Sequence, residues 1–266
     1  MSGERSPLVV RAERATVLAR AVEALDHFPA DQTWVLVGGV AVFLRLGSVT
    51  RPTADADTVA QSQAALLDEL NGEDVVVIAG GGIEMSVGDG VVRIDVMDLN
   101  DDPLPGDTDR RAFALARREA LRSATPENIL VTDRTGADIA RAVVPLASIG
   151  SLVSLKTVSM IRRPHGNHPE KVGSDIHDLV RLVGEAGART LAVEIASGDR
   201  ELAAWVADQI TRAFGVALRF TLVRLRRTDR SAGAQALTDA DVAATIVLGD
   251  ELHQCLAGGA PEASGQ

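Results

Sequence analysis

The spacing of apolar residues predicts alternating helices and strands in the first part of the chain. Leu8–Phe28 carries apolar residues at helical intervals and is expected to form a helix. Trp34–Val37 is a short apolar run, typical of a buried strand, and it leads directly into Gly38-Gly39. Val40–Leu46 is again apolar and ends at Gly47, which predicts a helix closed by a C-terminal glycine.

Strict alternation of residue character then predicts strands. Thr53–Val59 places Asp55 and Asp57 on one face and small or apolar residues on the other. A helix is expected at Gln63–Leu70, and three glycine-separated strands are expected at Val75–Ile78, Ile83–Val87 and Val91–Met97. The last two strands are joined by Gly-Asp-Gly, which accepts the positive φ of a tight hairpin turn.

Helical spacing dominates the second half of the chain. The predicted helices are Arg110–Ser123, Leu146–Arg163, Ile176–Ala186, Glu201–Phe214 and Asp239–Leu256. Ala217–Leu225 fits either a strand or another helix. We therefore predict an α+β fold: a mixed sheet with flanking helices in residues 1–105, a mainly helical domain in 106–258 and a disordered tail in 259–266.

Composition excludes several classes of protein. One cysteine, Cys255, rules out an internal disulfide framework, no apolar run approaches the ~20 residues of a membrane helix, and the N-terminus lacks a secretion signal. A soluble, cytoplasmic protein is expected. The net charge of −10 argues against nucleic-acid binding over the whole surface but leaves a local basic groove open. Arg224–Arg230 is a candidate for that groove or a solvated face.

Three aspartates are the strongest candidates for chemistry. Asp55 and Asp57 share a strand face, and Asp95 lies between Ile94 and Val96 on a later strand. Carboxylates that converge in this way can hold one or two divalent ions, and a buried Asp95 needs a partner. The alternatives are solvated aspartates on an edge strand, and pairing of Asp95 with a neighbouring arginine.

The Gly38-Gly39 pair is a second candidate, because it lies where a strand ends and a helix begins. Backbone without side chains, followed by free helix N–H groups, lets a triphosphate approach closely. A plain strand-to-helix turn explains the same two glycines.

The order of these elements resembles the DNA polymerase β-like nucleotidyltransferase superfamily. The segment GGVAVFLRLGSVTRPTADADTV is more specifically similar to the AbiEii/MenT-type branch, whose members are often toxins of toxin–antitoxin pairs. KTVSMIRR and KVGSDIHDL in the second half match further motifs of that branch. The resemblance extends from about Trp34 to Leu182, and the residues after about 190 match no motif of the branch.

This resemblance implies a function and a set of site residues. The expected reaction is transfer of NMP from an NTP to a hydroxyl acceptor, with RNA or the tRNA 3′ end as acceptor and a cognate antitoxin protein as a partner. The resemblance implies that Mg²⁺ or Mn²⁺ is held by Asp55, Asp57 and Asp95. It assigns catalysis to these three with Lys156 and Asp175, and nucleotide binding to Gly38, Gly39, Arg51, Thr53 and Arg163.

Other functions remain open from the residues alone. The acceptor is alternatively a small molecule or a protein, which suits an acidic chain. A catalytically silent nucleotide-binding subunit is a further alternative, against which the three retained carboxylates argue. Lys156 itself is alternatively one half of a surface ion pair with Asp175, which would contribute at most about 1 kcal/mol.

Overall fold

The computed structural model describes residues 6–13, 16–30, 33–49, 51, 53–99, 104, 106–163 and 168–258. Two compact units contain these residues: unit 1 takes those of Met1–Pro103 and Ala120–Ser148, and unit 2 those of Leu104–Glu119 and Ile149–Gln266. The division therefore differs from the single boundary expected at residue 105. The tail expected at 259–266 lies outside the described residues, and none of the described helices is long and apolar enough to cross a membrane.

Unit 1 is built on an eight-stranded mixed sheet. Its strands are β1 (Leu8–Arg11), β2 (Trp34–Val37), β3 (Ala56–Ala60), β4 (Val75–Ile78), β5 (Gly82–Val87), β6 (Gly90–Asp98), β7 (Thr125–Thr132) and β8 (Asp138–Leu146), in the order β1-β7-β8-β2-β3-β6-β5-β4. The pairs β1–β7, β8–β2 and β3–β6 are parallel and the others antiparallel.

Three helices of unit 1 follow from local signals. They are α1 (Val17–Leu25), α2 (Gly38–Leu46) and α3 (Gln63–Leu70). The side chains of Thr16 and Ser62 cap the N-termini of α1 and α3, and Gly47 closes α2 at φ +64°. The predicted β2 and α3 are confirmed at both ends. All four residues of β2 are buried, as expected for a fully apolar strand between two neighbours.

Two parts of unit 1 differ from the prediction. Leu8–Arg11 is a strand and not the start of a helix, and the segment before Leu146, for which no element was predicted, holds the hairpin β7–β8. β1 is a strand because it pairs along its whole length with β7. That pairing joins segments far apart in the sequence, so helical spacing at Leu8–Arg11 was a poor guide.

The remaining helices confirm the helical C-terminal region. They are α4 (Thr108–Arg122), α5 (Ile149–Arg162), α6 (Val172–Ala186), α7 (Ala188–Ala196), α8 (Arg200–Ile210), α9 (Leu218–Thr228), α10 (Ala232–Ala236) and α11 (Asp239–Ala257), with a π-helical turn at Thr211–Val216. The ambiguous segment Ala217–Leu225 is thus helical. It buries Leu222 and Leu225, which lie on one helical face.

Arg45 ties the end of α2 to the β7–β8 hairpin. Its guanidinium donates to the carbonyl oxygens of Ala147 (2.9 Å) and Leu146 (3.1 Å), and it contacts Oε1 of Glu127 at 3.0 Å. The Arg45 and Glu127 side chains are only 14% and 13% exposed. The arginine that interrupts the apolar run of α2 is therefore its anchor to the sheet.

We expect Arg45→Met to lower the free energy of unfolding by about 3 kcal/mol, because it leaves the largely buried Glu127 carboxylate without its cation. Arg141→Met is the matched control, since Arg141 pairs with Asp138 at an exposed site in the same unit. Its cost should stay below about 1 kcal/mol. Urea unfolding of the two variants measures the difference, and equal losses would contradict the anchoring role.

Candidate active site

Two of the predicted aspartates lie side by side in the sheet. Strands β3 and β6 are parallel, and their register pairs Asp57 with Asp95. Paired residues on neighbouring parallel strands point to the same face, with strands about 4.8 Å apart. Two carboxylates so close repel each other, and a cation relieves that repulsion.

Asp95 already has one cation as a neighbour. Nε of Arg93 donates to Oδ1 of Asp95 at 2.9 Å, and the Asp95 side chain is 33% exposed. This hydrogen bond and the charge of Asp95 raise the pKa of Arg93, and the Asp55 carboxylate raises it further. Asp55 therefore acts on the same guanidinium, although it lies just before β3 and not within it.

Gly38 is fitted against Asp57. It is the first residue of α2 and has a φ of +71°, which disfavours any residue with a Cβ. A Cβ placed on Gly38 would lie 2.0 Å from Oδ2 of Asp57. The glycine thus provides both the backbone turn and the space that the carboxylate occupies.

Gly39 is surrounded by the other predicted nucleotide-binding residues. A Cβ placed on Gly39 would lie 3.0 Å from a terminal nitrogen of Arg51 and 3.2 Å from Oγ1 of Thr53. The Thr53 hydroxyl donates to the carbonyl oxygen of Asp55 at 3.1 Å, which holds the chain as it enters β3. Gly38, Gly39, Arg51, Thr53 and Asp57 are therefore neighbours in unit 1.

Gly82 on β5 plays a similar part beside Asp95. The antiparallel register of β5 and β6 pairs the two residues, and a Cβ on Gly82 would lie 2.9 Å from Oδ1 of Asp95. The sequence predicts a turn at Gly80-Gly81-Gly82 and gives Gly82 no role at the site, whereas Gly82 is the first residue of β5.

These carboxylates suit a hard divalent cation. Within the described part of the chain, no three His, Cys, Asp or Glu side chains form a ready-made metal cage. Mg²⁺ rarely uses such a cage, because it is typically held by one or two carboxylates together with substrate phosphates. Asp57 and Asp95 beside Gly38 fit that mode of binding, with Asp55 close to the same Arg93.

The predicted residues of the second half form a separate cluster in unit 2. Nζ of Lys156 lies 3.1 Å from Oδ1 of Asp175 and 2.7 Å from Oδ2 of Asp178. Nε of Arg163 donates to the other oxygen of Asp175. The Lys156 side chain is 8% exposed and the two aspartates are at most 2% exposed, so this is not a surface ion pair.

The lysine thus bridges two carboxylates on one face of α6. Asp175 and Asp178 are three residues apart and so share this face, although the sequence analysis assigned a role only to Asp175. Burial of three charged groups is costly unless they are paired and hydrogen-bonded. Asp178, to which no role was assigned, makes the shorter contact to the lysine.

Structural comparison finds distant likenesses among solved proteins. The crystal structure of an antigenic nucleotidyltransferase-like protein from Paracoccidioides brasiliensis is 20% identical, with 64% of this chain and 74% of that chain covered and a TM-score of 0.39. The solution structure of the antibiotic-resistance factor ANT(2'')-Ia is 19% identical, with 77% and 91% covered and a TM-score of 0.34. Likenesses this weak carry no conclusion about this chain. No family model and no curated protein matches the sequence.

We expect Gly38→Ala to be more destabilising than Gly47→Ala, at the other end of α2. Both glycines have a positive φ, but a Cβ on Gly47 would meet no atom within 4 Å. Each variant should lose about 1–2 kcal/mol from the backbone conformation. Gly38→Ala should lose about 1–3 kcal/mol more through its clash with Asp57. Urea unfolding of both variants tests this, and equal stabilities would show that Asp57 does not need the space.

Proposed function

We propose that this protein is a metal-dependent nucleotidyltransferase of the DNA polymerase β-like superfamily. It would transfer NMP from an NTP to an acceptor hydroxyl, forming a bond between that oxygen and the α-phosphorus and releasing pyrophosphate. The observation that carries the proposal is the register pair Asp57–Asp95 beside Gly38 at the start of α2. Carboxylates, a side-chain-free turn and a helix N-terminus together suit a metal-bound triphosphate.

Each residue of this group has a distinct task in the proposal. Asp57 and Asp95 hold Mg²⁺ or Mn²⁺, with Asp55 as the third carboxylate. When bound, the ion supplies positive charge to the phosphate oxygens in the transition state. Gly38 and Gly39 let the triphosphate approach the first N–H groups of α2, where Val37 offers no side-chain cap.

Arg51 and Thr53 orient the nucleotide in the same proposal. Both lie against Gly39, within the reach of a group bound at the start of α2. A guanidinium binds phosphate oxygens in a fixed, forked geometry, and a hydroxyl donates one further hydrogen bond.

The proposal assigns a joint action on the substrate phosphates to Lys156, Asp175 and Arg163. Support comes from the family motifs that these residues match and from the burial of the cluster. A compact ammonium held by two carboxylates has one fixed position, which is what a phosphate-contacting group requires.

An RNA acceptor, and with it a toxin that has a cognate antitoxin, is the finer part of the proposal. Unit 2 gathers arginines in a chain whose net charge is −10. The guanidiniums of Arg117 and Arg162 lie 4.7 and 4.5 Å from the Phe113 ring centroid. Burial, followed by the charge of Arg110, lowers the pKa of Arg162. Asp107 and Asp109 partly offset this effect on Arg162. Arg117 is buried, so the support comes from Arg110, which is exposed and whose charge reaches Arg162. Local positive charge of this kind suits a polyanionic partner such as RNA.

The function is tested by incubating the full chain with Mg²⁺, each α-labelled NTP and one acceptor at a time: bulk tRNA, a panel of hydroxyl-bearing small molecules, and the protein alone. Label in RNA with release of pyrophosphate supports the whole proposal. Label in a small molecule or in protein supports nucleotidyl transfer and overturns the RNA acceptor. Nucleotide binding without transfer to any acceptor would favour the catalytically silent subunit.

We expect Asp57→Asn to abolish transfer, because it removes a metal ligand and several kcal/mol of transition-state stabilisation. Mn²⁺ affinity, measured by electron paramagnetic resonance in the presence of NTP, should fall by at least about tenfold. Without metal, the Tm should stay constant or rise, because repulsion between Asp57 and Asp95 is relieved. Asp138→Asn, at an exposed site on β8, is the control. Unchanged Mn²⁺ affinity in Asp57→Asn would refute the metal site.

We expect Lys156→Arg to lose at least about tenfold in kcat/KM, because a planar guanidinium cannot take the position of the ammonium between two carboxylates. Asp175→Asn and the double variant should show non-additive losses if lysine and aspartate act as one unit. Measuring kcat and KM for NTP separately, beside the urea stability, distinguishes a phosphate contact from a purely structural pair. Full activity in Lys156→Arg would end the catalytic proposal.

A further inference from the structure

The outward face of α9 carries an exposed apolar stripe. Phe220 and Val223 on this helix are 62% and 63% exposed, and Val216, in the π-helical turn just before it, is 85% exposed. The opposite face of the same helix buries Leu222 and Leu225. The segment is therefore apolar on two sides, and one of them has no cover within the described residues of the chain.

Arginines border this stripe. The segment Thr211–Thr228 contains five arginines and no acidic residue, in a chain whose acidic residues outnumber its basic ones by 37 to 27. Arg219, Arg226 and Arg227 are exposed. Arg224 lies over the Phe220 ring, 4.8 Å from its centroid. The surface is consequently apolar at Phe220 and Val223, with Arg227 in line with them and Arg219, Arg224 and Arg226 along its edges.

The spacing of the stripe is that of a helix pair. Phe220, Val223 and Arg227 follow each other along α9 at intervals of three and four residues, which is the a/d spacing of a coiled coil, and Val216 extends the apolar surface from the turn before the helix. If Phe220 is an a position, Arg219 and Arg226 are g positions and Arg224 is an e position. These are the positions from which charged side chains contact a partner helix.

We propose that α9 is a docking surface for an amphipathic helix of a partner protein with acidic residues at its e and g positions. The apolar side of that helix packs on Val216, Phe220 and Val223. Its carboxylates face the bordering arginines. The surface belongs to unit 2 and does not depend on the proposed catalysis.

Charge and shape favour this occupant over two others. A second copy of the chain, pairing α9 with α9 symmetrically, would bring arginines against arginines, which like-charge repulsion disfavours. Single-stranded RNA suits the arginines and Phe220, but bases stack on aromatic rings, and two of the three stripe residues are valines. An aliphatic stripe at heptad spacing is the signature of helix-on-helix packing.

The length of α9 limits the strength of this contact. Its 11 residues span about 16 Å, or three turns, so we expect a weak interaction that is sensitive to salt. Because weak binding is expected, the experiment compares the affinities of two matched peptides.

The test titrates the full chain into two labelled helical peptides of about three heptads, each with leucine at a and d. One peptide has glutamate at every e and g position and the other has lysine there. Fluorescence anisotropy should show the glutamate peptide binding at least about tenfold more tightly than the lysine peptide, and less tightly as salt is raised.

Variants of α9 test whether the glutamate peptide binds to this helix. Val223→Ser and the pair Arg226→Glu with Arg227→Glu should each weaken the glutamate peptide by about fivefold or more. Val193→Ser on α7 is the matched control, because Val193 is 58% exposed on another helix of unit 2. Circular dichroism establishes that each variant is folded.

Three outcomes would overturn the proposal. One is that neither peptide binds, and another is that both bind equally. The third is that the glutamate peptide fails while a labelled oligouridylate binds and is lost in the Arg226→Glu, Arg227→Glu variant, which would make α9 an RNA surface.

Discussion

The parallel pairing of β3 with β6 is the constraint on which the candidate site of unit 1 depends. It places Asp57 and Asp95 next to each other on one face of the sheet. The other face of β3 holds this register, because Ala56 and Thr58 are completely buried there. A slip by one residue would turn every side chain of β3 to the opposite face. The sheet therefore holds two like charges at adjacent positions on neighbouring strands.

Glycines on neighbouring elements leave space for both carboxylates of this pair. Gly38 leaves room for Asp57, and Gly82 leaves room for Asp95. In each case the missing side chain lies on a neighbouring element and not on the aspartate's own strand. Rigid strands and the first turn of α2 thus surround a small region of backbone and carboxylate oxygens. Sites held by such elements are positioned more firmly than sites on loops.

Unit 2 uses its positive charges in two different ways. Lys156 is buried between Asp175 and Asp178, where desolvation is costly and the ammonium has a single position. The arginines of α9 remain exposed beside apolar side chains and are suited to contact another molecule. Buried charge therefore points to positioning, and exposed charge beside an apolar stripe points to recognition.

Local spacing in the sequence predicted much of this protein, because helices, caps and turns depend on neighbouring residues. It located α2 and its closing Gly47, the strands on either side of the Gly-Asp-Gly turn, and the aspartates at alternate positions. It did not locate β1 or the β7–β8 hairpin. β1 exists through its pairing with the distant β7, which no local period records.

The same limit applies to the candidate sites. The sequence by itself determined which residues are candidates for the chemistry: the paired glycines, the three carboxylates and Lys156. Only the tertiary structure decided which of them meet. The register of β3 and β6 paired Asp57 with Asp95, the packing of α5 on α6 added Asp178 to Lys156, and the burial of one face of α9 left the other exposed. Such contacts depend on how distant segments pack, and residue spacing along the chain does not contain that information.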